Sequence, residues 1–235
     1  MKIILELKQT ADGSYTLYNS ELNEHYHSIH GANTESLHVF IQNGLAYLLP
    51  NFTSNQMNIL EVGFGTGLNC FLTINYLIEN EFKIKVYYHA LEPYPVDKKL
   101  INKLSNGFQH KLYSEIHHLK WNMDQTINDG IVIHKSSEMV QHLKLEKKYD
   151  LVFFDAFGPR VEDKLWDISV LKLIFNLMNS NGIFVTYCAK GQVRRDLEQI
   201  GFKVERLPGP PGKREMLRAT KTNNGTQKLE AGLKE

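Results

Sequence analysis

The chain has 235 residues, 42% of them hydrophobic and 23% charged, the balance of an ordinary globular protein. That length allows one substantial domain with an elaboration but not two full-sized enzymes, and a formal net charge of +1 excludes a general attraction to nucleic acid, so any RNA contact must come from a local patch. No apolar run approaches the ~20 residues of a membrane-spanning helix, no signal-peptide core opens the chain, and two distant cysteines, Cys70 and Cys188, suit a reduced, cytoplasmic setting.

Lys2 to Lys8 and Tyr15 to Tyr18 read as strands around Ala11-Asp12-Gly13-Ser14, and Asp-Gly between two such runs predicts a hairpin. A loop with His25, His27 and His30 follows. These histidines lack the second cluster of a zinc site, which leaves hydrogen bonding or a place in a substrate cleft as their use; no metal is expected. Thr34 is placed to cap a helix whose apolar residues Leu37, Phe40, Ile41, Leu45 and Leu48 keep the helical period until Pro50. Residues 1–50 are therefore expected to form an extension ahead of the main domain.

That domain is organised around one stretch. The apolar run Met57 to Val62 stops at Gly63, Gly65 and Gly67, after which Leu68, Phe71, Leu72 and Leu77 recur at helical spacing. This is a strand, a tight turn and a helix start, and glycine there leaves no Cβ to hold a ligand away from the backbone. A dinucleotide fingerprint needs G-x-G-x-x-G. The chain has G-x-G-x-G preceded by Glu61, which resembles the first motif of class I methyltransferases, binders of S-adenosylmethionine. Lys85 to Leu91 is a second buried strand ending at Glu92, 29 residues beyond Gly63. An acid in that register hydrogen-bonds ribose hydroxyls in nucleotide-binding α/β folds, since a carboxylate accepts from both at once. A solvated strand-end acid is the other reading.

Residues 105–130 read as a helical excursion and Ile131 to His134 as a third strand; Ser136-Ser137-Glu138 then opens a helix to Leu143. Tyr149 to Phe154 is apolar on both faces, as parallel strands are, and ends at Asp155. A helix from about Asp167 to Met178, the turn Asn181-Gly182, the strand Ile183 to Ala189 and a helix from Gly191 to Ile200 follow. Lys203 to Leu207 and Glu215 to Ala219 are joined too closely to be anything but antiparallel. The alternation predicts an α/β fold, a doubly wound, Rossmann-like seven-stranded sheet over residues 51–219, with a disordered tail over 220–235.

In such a sheet Asp155 faces the same crevice as the glycine turn, with Phe157, Pro159 and Trp166 as apolar walls. An acid in an apolar cleft suits binding an amine or taking up a proton. The segments Glu61–Asn69, Phe154–Pro159 with Trp166, Val193-Arg194-Arg195 and Gly212–Leu217, in that order, resemble the methyltransferase module of the MnmC and MnmD family, which completes 5-methylaminomethyl-2-thiouridine at the tRNA wobble position. Tyr18 to Phe40 is similar to its N-terminal region, so the match runs from about Tyr15 to Leu217.

The resemblance implies a class I fold and methyl transfer from S-adenosylmethionine to the amine of a 5-aminomethyl uridine in tRNA. It makes Glu61, Gly63, Gly65, Gly67 and Glu92 cofactor-binding and Asp155 catalytic. Where the family often has an acid near the adenine, this chain offers Lys135 to Glu138, with Glu138 as the acid. The oxidase half of the bifunctional members has no room here, so separate oxidase or aminomethyl-forming enzymes are expected upstream. Phe157, Trp166, Lys190, Arg194, Arg195, Lys213 and Arg214 are the residues expected to meet the substrate, the cations through tRNA phosphates. Two other classes stay open: an aminopropyltransferase, although its Gly-Gly-Gly turn is absent, and a non-catalytic RNA-binding module, which has no need of Glu92.

Overall fold

The computed structural model describes residues 5–144 and 146–222. The disorder expected of 220–235 lies outside them from residue 223 on, while 220 and 221 belong to the last strand. A small antiparallel sheet comes first: β1 (Leu5–Gln9), β2 (Tyr15–Asn19) and β3 (Glu24–His25), in the order β1-β2-β3. The Asp12-Gly13 hairpin is present, with Gly13 at φ 82°. The Asp12 carboxylate accepts from Ser14 and Thr10 inside the turn, and from the Thr34 amide and hydroxyl. Thr34 is thus bound to the hairpin and does not cap a helix.

The helical run after it begins at α1 (Ala32–Ser36), widens to a π-helix over Leu37–Leu45, returns to α2 (Ala46–Leu48) and ends in a 3-10 turn, Leu49–Asn51. The widened i→i+5 turns put Val39, Phe40, Ile41, Gly44 and Leu45 on the buried side. A Cβ on Gly44 would stand 3.1 Å from Phe153 and Val185, so the helix lies against the sheet at glycine distance.

The main sheet has eight strands: β4 (Gln56–Val62), β5 (Lys85–Leu91), β6 (Asp124–Asn128), β7 (Ile131–Ser136), β8 (Tyr149–Phe154), β9 (Met178–Thr186), β10 (Phe202–Pro208) and β11 (Glu215–Lys221). Their order is β10-β11-β9-β8-β4-β5-β7-β6, parallel from β9 to β7 and antiparallel at both ends. The expected doubly wound fold is present with one strand more than the expected seven. The extra strand, β6, lies within the stretch read as helical, which instead holds α4 (Lys98–Phe108), α5 (Lys111–His118) and then a hairpin turning at Gly130, φ 98°. The helix expected to run to Leu143 is a single 3-10 turn, Val140–His142. Ser136 and Ser137 are engaged elsewhere: the Ser136 hydroxyl accepts from the Glu138 amide, and Ser137 binds Asn122. Asn181-Gly182 lies inside β9, where the pairing with β8 shifts register.

Alternation along β4 divides the core. Met57 and Ile59 pack with the π-helix and α3 (Leu68–Glu79), while Leu60 and Val62 pack with α6 (Ile168–Leu177) and α7 (Gly191–Ile200). Because β4 and β8 are neighbours whose crossovers run in opposite directions, the crevice opens at their carboxyl ends.

Candidate active site

A cleft of about 610 Å³, within the usual range of small-molecule sites, lies over the ends of β4, β5 and β8. Its floor is the glycine turn. Gly63 and Phe64 both donate to the Leu91 carbonyl at 3.0 Å, and Gly65 donates to Glu92 Oε2 at 2.9 Å. Gly63 has φ 93°, and a Cβ there would lie 2.5 Å from the Asp155 carbonyl oxygen, so sterics and conformation both require glycine. Gly67, left-handed at φ 72°, opens α3. The turn is held from outside as well: the Thr66 carbonyl accepts from Tyr113 at 2.6 Å and His117 at 3.0 Å, and its hydroxyl meets His27 Nε2 at 2.7 Å. Burial holds His27 and His117 down to about 4, so both are neutral at pH 7.

Glu92 lines the cleft where the strand register placed it. Its oxygens accept from the Gly65 and Tyr94 amides, at 2.9 and 3.0 Å, and keep further lone pairs for ribose hydroxyls. Burial pushes its carboxyl up to about 7 against those two hydrogen bonds, and Glu162 adds to the rise. Gly63, Gly65 and Glu138 also line the cleft. Glu61 does not. It is buried under the turn on the α3 face, accepting from the Tyr88 hydroxyl at 2.9 Å; burial and then Asp155 push its carboxyl well above the usual range. Strand alternation turns it to the face opposite Val62, away from the cleft, so its expected ligand contact is corrected to a place in the floor.

Asp155 stands beside the glycine turn at the end of β8, half-buried, its amide bonded to the Val62 carbonyl at 2.9 Å. Oδ2 accepts from Asn69 Nδ2 at 2.7 Å, and no donor among the described residues reaches Oδ1. Burial raises its carboxyl well above the carboxylate range; the charge of Glu35 adds to the rise, and Asn69 and Lys213 oppose it. Phe157 forms a wall, edge-on to Tyr26 at 5.1 Å. Trp166 was expected as another, but its indole N–H donates to the Phe157 carbonyl at 2.8 Å and its ring packs on Phe154, so it belongs to the core beneath. Glu162, which accepts from the Phe157 amide, takes a place in the wall that no local pattern announced. Asn19, Glu21, Leu22, Tyr26 and His27 from the N-terminal extension complete the cleft.

The lining is acidic. Glu21, Glu92, Glu138, Asp155, Glu162 and Asp163 face it against Lys164; burial pushes Glu92, Asp155 and Glu162 toward their neutral forms, and a cationic ligand would favour their charged ones. The cations expected to meet tRNA lie outside. Lys190 precedes α7 at the surface, Arg194 pairs with Glu198 at 2.8 Å, Arg195 binds Gln192, and Arg214 is exposed. Lys213 differs from the others: its ammonium is paired with the buried Glu35 and lies 3.8 Å from the Tyr187 ring centroid. No cluster of three or more candidate metal ligands and no helix long and apolar enough to cross a membrane occurs among the described residues.

Residues 98–222 match a family model described as S-adenosyl-L-methionine-dependent methyltransferase. The chain is 30% identical over 215 residues to the tRNA 5-methylaminomethyl-2-thiouridine biosynthesis bifunctional protein MnmC of Leptospira borgpetersenii, covering 86% of this chain and 33% of that one. It is 30% identical over 214 residues to the protein of the same name from Campylobacter hominis, covering 86% and 31%. The chain thus spans about a third of the length of the curated relatives it matches. The crystal structure of MNMC2 from Aquifex aeolicus superposes with a TM-score of 0.76 over 97% of this chain and 76% of that one, at 24% identity, a likeness of fold.

Proposed function

The chain belongs to this family of S-adenosyl-L-methionine-dependent methyltransferases, with that compound as its cofactor, and from this premise we propose that it methylates the primary amine of a 5-aminomethyl-2-thiouridine at the wobble position of tRNA, in the cytoplasm. The observation that carries the reading is Asp155: a carboxyl fixed at one oxygen by Asn69, open at the other, in the cleft beside the glycine turn.

The cleft suits the cofactor. Its volume and acidic lining match a cationic nucleoside, Glu92 keeps acceptors for ribose hydroxyls, and the glycine turn leaves no side chain between the backbone and a ligand. Glu92, Gly63 and Gly65 would hold it, with Glu138 near its base. When bound, the cofactor supplies a methyl group activated by positive sulfur and leaves as a neutral thioether. What the chain must add is alignment, worth several orders of magnitude when reacting atoms are held ~3 Å apart. An ammonium has no lone pair, so the amine must be neutral when the N–C bond forms. Asp155 Oδ1 orients it by accepting one N–H and then takes the proton released from nitrogen. A proton affinity raised by burial makes it a stronger base than an ordinary aspartate. Phe157 and Tyr26 exclude water from that exchange.

Phosphates of the tRNA meet Lys190, Arg194, Arg195 and Arg214 outside the cleft, whose acidic interior repels them and admits the aminomethyl group. The reading requires a preceding reaction that supplies the aminomethyl form. Incubation of the protein with labelled cofactor and tRNA lacking the modification, followed by nucleoside mass spectrometry, should give the methylaminomethyl nucleoside. Transfer to another nucleoside, or none with the cofactor bound, refutes the assignment.

A further inference from the structure

We propose, building on the methyl-transfer reading above, that the ion pair of Glu35 and Lys213 sets the proton affinity of Asp155, so that Lys213 is a positioning residue for the acceptor carboxyl and not a ligand for tRNA phosphate. The geometry is a chain of contacts. Glu35, 5% exposed in α1, accepts from the Ser28 amide at 2.8 Å and pairs with Lys213 of the loop between β10 and β11. The Lys213 ammonium lies over the Tyr187 ring, and the Tyr187 hydroxyl donates to the carbonyl of Ala156 at 2.9 Å, one residue from Asp155. The loop is fastened at both ends of this contact: His38 Nε2 donates to the Pro208 carbonyl at 2.8 Å, and a Cβ on Gly212 would strike His30. Lys213 is therefore directed inward, two-thirds covered, beside a carboxyl in a poorly hydrated place.

Each element packed around Asp155 contributes a group. Glu61 comes from β4, Tyr88 from β5, Asn69 from α3, Tyr187 from the segment after β9, Glu35 from α1 and Lys213 from the β10–β11 loop. The positive charge in this set is that of Lys213. Burial and then Glu35 drive the carboxyl toward the protonated form, which cannot accept a proton from the amine; Lys213 draws it back toward the carboxylate, and weak screening in the interior gives both fields reach.

Difference infrared titration of the protein without tRNA or cofactor, with the Asp155 carboxyl band assigned by Asp155→Asn, reads this directly. Lys213→Met should move the midpoint up by about one pH unit and Glu35→Gln down by about as much, the usual size of one neighbouring charge. The double variant should return close to the parent, and Lys213→Arg should leave it in place. The acid limb of kcat/KM should move the same way, with KM for tRNA changed less than about twofold. Unmoved midpoints overturn the inference. So does a tenfold higher, salt-sensitive KM in Lys213→Met with the midpoint intact, since that marks a phosphate ligand. If Lys213→Met fails to fold, Glu35→Gln alone decides by whether its midpoint falls. Shifted midpoints in a protein that methylates no tRNA would keep this inference and remove the methyl-transfer reading; methylation with fixed midpoints would do the reverse.

Discussion

At the end of β4 backbone conformation and amide hydrogen bonds shape the turn, with side chains gripping Thr66 from outside. At the end of β8, by contrast, the Asp155 carboxyl is conditioned by side chains from distant elements. The glycine turn takes its shape from amide hydrogen bonds to Leu91 and Glu92 and from left-handed glycines. Asp155 takes its character from burial and from Glu35, Asn69 and Lys213, which lie on three other segments. A ligand that only has to be bound needs a shaped surface, and short-range sterics supply one. A group that must exchange a proton needs a tuned electrostatic field, which is assembled from residues far apart in sequence.

The largest effect should come from the β8 side. Asp155→Asn keeps the shape and the partnership with Asn69 but cannot take a proton; kcat should fall ~10²-fold or more with cofactor affinity nearly unchanged. Near-normal turnover with tRNA saturating would locate proton acceptance elsewhere and erase the contrast.

On the β4 side, Glu92→Ala should weaken cofactor binding by ~1.5–3 kcal/mol, about ten- to a hundredfold by calorimetry. The same carboxyl gives a sign test. Its raised value of about 7 means that the charged form is disfavoured in the free protein, so its burial costs stability increasingly as pH rises from about 4.5 to 7. Ribose hydroxyls favour that charged form, so cofactor affinity should rise over the upper part of the same window and become flat in Glu92→Gln. A pH-independent parent removes Glu92 from the site.

Gly63→Ala should cost about 1–3 kcal/mol of stability in urea unfolding, from the positive φ and the collision with the Asp155 carbonyl. An unchanged midpoint would mean that the turn is not the rigid partner of the comparison. The smallest effect is expected on the surface. Reversing Arg194 and Arg195 to Glu should raise KM for tRNA several-fold and flatten its salt dependence, with cofactor affinity intact. Arg194 already shares its charge with Glu198, which tempers the change. Unaltered tRNA kinetics would exclude this face from the footprint.

What could be read in the sequence follows the same division. The strand-turn-helix at Gly63 to Gly67 and the place of Glu92 depend on local periods and φ restrictions, and the structure has them where those rules put them. Strand β6 escaped because Asp124 to Asn128 is polar, with no apolar face to advertise it. After Ser136 the Ser137 amide donates to the Asn122 side chain and the Glu138 amide to the Ser136 hydroxyl, where the sequence predicts a helix. Trp166 and Glu61 lie beneath the cleft for one reason: residue type announces chemistry, but only tertiary packing decides whether a side chain turns toward the cleft or away. Glu35 and Tyr187 carried no signal at all, since neither belongs to a pattern until α1 meets the β10–β11 loop.

The position of β11 bears on the order in which the protein can be built. This strand is the last of the described ones, yet it lies between β9 and β10, pairing Leu217 with Thr186 on one side and with Arg206 on the other. Until residue 221 has left the ribosome, β9 has an unpaired edge, a hazard for association with other chains. The Glu35–Lys213 contact, 178 residues apart in sequence, cannot close before that moment either. At synthesis rates of about 5–20 residues per second, the nascent chain carries its glycine turn for several seconds before that contact can close. Among the described strands, the edge of β9 is therefore closed by the one that emerges last.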